Sequence, residues 1–188
     1  MSSMHDDKLV IRRVLQGDRE AFAAIVERYQ QPLLNYLGRM LGERERSLEF
    51  AQDVFMKAYS SLNGYREEYK FSTWLFRIAS NHMIDFWRKK KIPAISLDRS
   101  FSEDGATPQA PDPGPSVIRT YELAELRKKI ESALHRVPES LRELFILRHV
   151  NEFSYEDIAA IKRLPVGTVK NRVFQAKEAV RNLLEGEL

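Results

Sequence analysis

The chain has 188 residues, 43% hydrophobic and 30% charged, proportions that suit a globular protein of one ordinary domain or two small ones. It contains no cysteine, which excludes disulfides, thiolate metal sites and cysteine nucleophiles. The net charge of +3 hides an uneven distribution: residues 1–96 carry 16 Lys+Arg against 12 Asp+Glu, residues 97–116 carry 1 against 4, and residues 117–188 carry 13 against 11.

No apolar run is long enough to span a bilayer, and the opening MSSMHDDK lacks a hydrophobic signal core. A cytoplasmic protein without direct membrane insertion is therefore expected. Residues 6–16 place Leu9, Val10, Val14 and Leu15 at helical spacing, with Gly17 as the stop. Asp18 is expected to cap a second helix, whose Phe22, Ile25, Val26, Tyr29, Leu33, Leu37 and Leu41 step by threes and fours and whose Pro32 is expected to bend it.

A third helix is predicted from Ser47, with Leu48, Ala51, Val54, Phe55, Ala58 and Leu62 inward and Asn63-Gly64 ending it. Its Glu49, Gln52, Asp53 and Lys57 point elsewhere, as a wet face or a partner surface. The connection 64–71, GYREEYKF, holds Tyr65, Tyr69 and Phe71, more rings than a turn requires.

The next stretch, FSTWLFRIASNHMIDFWRKKK (71–91), carries two stripes. Leu75, Ile78, Ala79, His82 and Phe86 share one side of a helix, while Arg77, Asn81, Asp85 and Arg88 share the other, with Ile84 among them. Ser72 or Thr73 is placed to cap its start, and four consecutive cations, Arg88 to Lys91, crowd its carbonyl end. Such a run beside a hydrogen-bonding stripe fits a polyanion, although a solubilising helix end has the same composition.

Between Pro93 and Ser116 five prolines, scattered Ser and Gly, and no apolar period describe a flexible acidic linker. Helical period returns at 117–137 with Leu123, Leu126, Ile130 and Leu134 inward. Pro138 suits the first turn of the helix that follows. No stretch alternates as a strand would, so the expected fold is all-α, two small helical domains (1–92 and 117–188) joined by the linker 93–116.

Ser154-Tyr-Glu-Asp157 is a capping-box variant that opens a short helix. The tight connection RLPVG leads into TVKNRVFQAKEAVRNLL, whose Val169, Val173, Ala176 and Val180 lie opposite Asn171 and Gln175, flanked by Lys170, Arg172 and Lys177. Two helices so joined describe a helix-turn-helix. Lys and Arg suit phosphates and guanine edges, Asn and Gln can pair bidentately with adenine, and the outward Phe174 could meet a thymine methyl. A helical hairpin with a charged back would share the pattern.

These two motifs resemble those of bacterial extracytoplasmic-function σ factors, the group 4 members of the σ70 family: FSTWLFRIASNHMIDFWRKKK their −10 segment, YEDIAAIKRLPVGTVKNRVFQAKEAV their −35 helix-turn-helix. The resemblance implies an alternative σ factor that binds core RNA polymerase and initiates transcription by capturing melted −10 DNA. It assigns Glu49, Gln52 and Asp53 to the β′ clamp helices. It assigns Tyr65, Tyr69, Phe71, Trp74, Arg77, Asn81, Asp85 and Arg88 to −10 DNA. It assigns Thr168, Lys170, Asn171, Arg172, Phe174, Gln175 and Lys177 to −35 DNA. The β flap and an anti-σ factor are further implied partners, and neither catalytic residues, metals nor cofactors are implied.

The chain departs from the family's frequent Leu-Gly at Lys162-Arg163, so a non-glycine residue must turn the corner; a positive φ is one way to do so, and the geometry of the turn is left open. It also has Glu49-Phe50 in place of a common Asp-Leu pair and Gln175 in place of a basic residue. Two other readings compete. A conventional helix-turn-helix regulator acting as a homodimer would explain the second half alone. An enzyme would have to use His82 and Asp85, which diverge on their helix and have no nucleophile or phosphate loop beside them.

Overall fold

The computed structural model describes residues 2–91 and 117–185, with side chains described over 6–90 and 125–185. Among the described residues every regular element is helical. The first half consists of α1 (Ser2–Leu15), a 3-10 turn (Arg19–Ala21), α2 (Phe22–Leu41), α3 (Arg44–Ser60), a second 3-10 turn (Leu62–Gly64) and α4 (Phe71–Lys91). The second consists of α5 (Val117–Arg136), α6 (Glu139–His149), α7 (Tyr155–Lys162) and α8 (Val166–Glu185). The expected linker, 93–116, lies outside the described residues.

Local chemistry sets most boundaries. Gly17 takes φ +107° after α1, and the Asp18 carboxylate accepts the Ala21 amide at 3.2 Å in the turn that leads into α2. That helix runs through Pro32 and ends at Gly42, whose φ of +75° a side chain would strain. α3 starts three residues before the predicted Ser47, because the Ser47 hydroxyl donates back to the Glu43 carbonyl at 2.6 Å instead of capping.

Four apolar residues expected inside are outside. Leu9 and Leu15 on α1, Leu48 on α3 and Leu126 on α5, half exposed, face solvent. On α1 the seam is Asp7, Ile11 and Val14, and Leu9 and Leu15 fall off it by a turn's fraction. Leu123 lies outside the described side chains.

The unexpected feature is how the halves meet. One apolar core contains Ile25, Leu33, Leu37, Val54, Leu75 and Ala79 of the first half together with Leu144, Ile146, Ile158 and Val169 of the second. α4 lies between α3 and α7, and α2 borders α5 and α6. The Phe76 and Phe153 rings meet edge-on at 4.8 Å across this boundary. α4 is consequently buried on two sides, with Phe76, Ser80 and Met83 covered as well as the predicted Leu75 and Ala79.

Polar groups line the same boundary and pair across it, although Asn151 Oδ1 and Arg142 Nε are buried without a hydrogen-bond partner among the described residues. Tyr36 donates to Glu143 at 2.9 Å, the Asn151 amide to the Pro32 carbonyl at 3.0 Å, and Arg39 pairs with Glu131 at 2.9 Å. The buried Arg142 guanidinium donates to the Met40 carbonyl at 3.3 Å and to the carbonyls of His135 and Val137 at 2.7 and 3.1 Å. A smaller cluster around Leu134, Val137 and Val180 closes the end of the second half.

Candidate nucleic-acid and polymerase interfaces

Past the 3-10 turn, the stretch from Tyr65 to Lys70 has little backbone pairing within itself, one turn bond from the Tyr69 amide to the Arg66 carbonyl at 3.1 Å. Side chains hold it instead. Tyr65 packs edge-on against Phe71 and Trp74 at 5.4 and 5.6 Å, and its hydroxyl donates to the Tyr69 carbonyl at 2.6 Å. Burial, with Asp7 and Glu67 nearby, pushes the Tyr65 phenol up to about 12. Phe71 is fully buried and also meets Tyr29 at 5.5 Å. Of the four predicted aromatics, Tyr69 alone is widely exposed, at 57%, while Tyr65, Phe71 and Trp74 form the platform beneath it.

α4 begins without the serine or threonine cap expected of it. The Thr73 hydroxyl donates across the boundary to Asp157 Oδ1 at 3.1 Å, and Lys70 reaches Asp157 Oδ2 at 2.9 Å. The outward stripe forms as the period requires: Asn81, Ile84, Asp85 and Arg88 are exposed and Arg77 is half-buried. Asp85 and Arg88 pair along the helix at 3.0 Å, and Lys90 lies over the Trp87 ring at 5.2 Å. The stripe therefore presents donors, acceptors and positive charge on a rigid element.

A second exposed face runs along α3, where Glu49, Gln52 and Asp53 project together. Met56 projects one turn further on and is 70% exposed, an apolar centre that the reading of the sequence did not single out. His82 joins this face to α4, with Nδ1 2.5 Å from Lys57 Nζ and Nε2 3.3 Å from Asp53. Burial, and then Lys57, hold its pKa below the ordinary imidazole value against the opposing pull of Asp53. Its ring packs on Phe50 at 4.6 Å, as a wedge between the helices.

The third surface belongs to α8. Ser154 and Asp157 exchange backbone-to-side-chain bonds of 3.0 and 3.2 Å, so the capping box that opens α7 is complete. Burial pushes the Asp157 carboxyl up, but hydrogen bonds from Lys70 and Ser154 outweigh it and leave the group below its usual range. The corner after α7 is turned by Arg163 at φ 54° and ψ 45°, a left-handed conformation uncommon for a residue with a side chain. Glu152, at φ 58°, makes a second such turn that nothing in the sequence marked.

Val169, Val173, Ala176 and Val180 of α8 are buried, which turns Lys170, Asn171, Arg172, Phe174, Gln175 and Lys177 to solvent and leaves Thr168 half-buried. Phe174 is 62% exposed, and its ring stacks on no other ring or cation among the described residues. Tyr155 lies beneath two cations, Arg148 at 4.8 Å and Lys170 at 5.7 Å from its centroid, which tie α8 to the start of α7. Among the described residues no group of three or more His, Cys, Asp or Glu could hold a metal ion, and no helix is long and apolar enough to cross a membrane.

Comparison with known proteins followed the same division. Residues 25–92 match the family described as sigma-70 region 2, and residues 127–180 match sigma-70 region 4. The chain is 33% identical to the RNA polymerase sigma-H factor of Pseudomonas aeruginosa, over 98% of this chain and 97% of that one. It is 35% identical to the ECF RNA polymerase sigma factor SigW of Bacillus subtilis, over 93% and 94%. It is 32% identical to the ECF RNA polymerase sigma-E factor of Escherichia coli, over 98% and 97%. Its fold is similar to that of CnrH in complex with the cytosolic domain of CnrY, with a TM-score of 0.70 and 22% identity over 97% of this chain and 99% of that one. It is also similar to that of the sigma factor RpoE bound to the anti-sigma factor NepR from Bartonella quintana, with a TM-score of 0.64 and 22% identity over 87% and 96%.

Proposed function

Since the chain belongs to the σ70 family of RNA polymerase σ factors, as one of the extracytoplasmic-function type, we propose that it is a group 4 member whose three exposed faces divide the work of initiation. The chain is an alternative σ factor, and the end-to-end likeness to σ factors leaves the homodimeric regulator without support. In this reading residues 1–92 form one σ region, 117–188 the other, and 93–116 join them.

Glu49, Gln52 and Asp53 of α3, with Met56 one turn beyond them, meet the β′ clamp helices. Their mixed acids and amide beside one exposed apolar side chain suit a rim of polar contacts about a buried anchor. The second region would reach the β flap. An anti-σ protein is a further expected partner, in keeping with the complex of RpoE with the anti-sigma factor NepR.

The α4 stripe and the loop before it act on −10 DNA. Unstacking a base costs a few kcal/mol, which can be returned only by contacts available once the strands have parted. Exposed Tyr69 offers a ring for one base, and Arg77, Asn81, Asp85 and Arg88 offer hydrogen bonds and charge to its neighbours. Tyr65, Phe71 and Trp74 contribute as the rigid floor of that loop. The α8 face, from Thr168 to Lys177, reads the −35 major groove. Each grip is modest, and a common polymerase scaffold raises the effective concentration of one once the other is engaged.

The observation that carries this reading is that the α3 face, the α4 stripe and the α8 face are separately exposed on rigid helices of one chain. Purified chain, with and without core RNA polymerase, is to be tested on a promoter library. Sequence-specific transcription is expected only with core. Arg77→Ala with Asn81→Ala is expected to reduce open complexes while sparing core binding, and Gln52→Ala with Asp53→Ala to weaken core binding. Loss of core association in the first pair, or none in the second, would show the faces to be misassigned.

A further inference from the structure

The region 2 match begins at residue 25, so α1 lies outside it, yet α1 is built into the fold with care. Ile11 and Val14 are core residues. Asp7 is 2% exposed, accepts the Tyr29 hydroxyl at 2.5 Å and also pairs with Arg28. Burying a carboxylate is costly unless its partners hold it, so these two donors lock α1 in one position on α2.

From that position α1 reaches the loop before α4. Arg12 Nε and Nη2 donate to the two carboxylate oxygens of Glu67 at 2.7 and 2.5 Å, a two-point fork that fixes both distance and plane. Glu67 is held below, and Arg12 above, its ordinary pKa, chiefly by this hydrogen-bonded pair. The loop has one other side-chain tie within itself, Tyr65 to the Tyr69 carbonyl, and one to the second domain, Lys70 to Asp157. Tyr65 packs the start of the loop on Phe71 and Trp74, and the fork is the polar tie from α1 to the loop tip, three residues before Lys70 and two before exposed Tyr69.

We propose that α1 is a strut for −10 capture, with Arg12 and Glu67 as positioning residues that hold the 65–70 loop, and through it Tyr69, in the geometry that receives an unstacked base. This rests on the reading of that loop as the base-capturing element. A loop placed in advance loses less ordering entropy when the base arrives. Neither residue need touch DNA.

The test uses the full chain assembled with core RNA polymerase, with permanganate reactivity in the −10 region as the readout of opening. Arg12→Glu and Glu67→Arg should each slow opening about threefold, the scale of one exposed ion pair, with core affinity and thermal midpoint unchanged. Arg12→Glu combined with Glu67→Arg should recover most of the rate. Wild-type opening in both single variants, no recovery in the pair, or a parallel loss of core affinity would overturn the strut. Tyr69→Ala separates this from the reading beneath it: unchanged opening there removes the base-capturing loop itself, whereas slowed opening there beside wild-type single reversals removes the strut alone.

Discussion

Lys162 of α7 places its ammonium 2.5 Å from Glu143 of α6 and donates to the Ser80 hydroxyl of α4 at 2.9 Å, so an ion pair of the second domain is completed by the first. Tyr36 of α2 supplies the other Glu143 oxygen with its donor. Burial first, and then Glu143, raise the Tyr36 phenol well above its ordinary pKa, so it remains a donor at any working pH. Four side chains from four helices thus satisfy one another, and only when the halves are together. A buried pair of this kind adds little net stability, since desolvation offsets the attraction, but it makes one docking geometry much better than its neighbours.

Lys162→Met removes one partner and leaves Glu143 charged inside the boundary. A loss of roughly 3–5 kcal/mol is expected for a broken buried pair, or a separation of the halves that returns Glu143 to water. Urea unfolding and the distance between fluorophores on α3 and α8 report the two outcomes. Adding Glu143→Gln, which keeps an acceptor for Tyr36 and removes the charge, should recover most of the loss.

Three histidines predict a sensitivity to mild acid. Burial lowers each pKa first, assisted by Lys57 at His82, by Arg142 at His135, and by Arg148 and Lys177 at His149, with Asp53 and Glu131 opposing at the first two. The unfolded chain therefore takes up protons before the folded one. Stability from this source is complete above the ordinary imidazole value of about 6.5, and it falls as the pH drops through that value towards the lower folded ones. The urea midpoint should be lower at pH 5.5 than at pH 7.5, and His135→Gln should narrow the gap.

On α8, Asn171→Ala and Gln175→Ala are each expected to cost about 1–3 kcal/mol of discrimination at one base pair. Lys170→Ala should instead weaken binding evenly across sequences and lower the salt slope by about 1. Holoenzyme binding to single-substitution −35 promoters at several salt concentrations distinguishes them. An even loss for Gln175→Ala would remove it from base readout.

Arg163 occupies the left-handed region between the two helices of the motif, where a Cβ is strained by about 1–2 kcal/mol. Arg163→Gly should raise the thermal midpoint without changing the α8 face, and Arg163→Val should lower it. At Gly42 the opposite holds, because a Cβ there would stand 3.0 Å from His135 and Gly42 already takes φ +75°.

The sequence by itself determined what depends on neighbours a few residues apart. Helical period placed Asn81 and Asp85 on the outer side of α4 and Asn171 and Gln175 on the outer side of α8. The Ser154 to Asp157 spacing specified a capping box, and the missing glycine at 163 marked the corner whose left-handed geometry the structure then supplied. Tertiary structure alone decided what depends on residues far apart in the chain. Whether a ring of the 65–74 stretch is floor or free surface depended on Tyr29, and the Thr73 hydroxyl, predicted as a cap, was drawn to Asp157, 84 residues away. Tyr36 and Glu143 are 107 residues apart and Ser80 and Lys162 are 82 apart, so no local pattern links them. A single period reports one buried side of a helix, and α4 has two because a second domain covers the other.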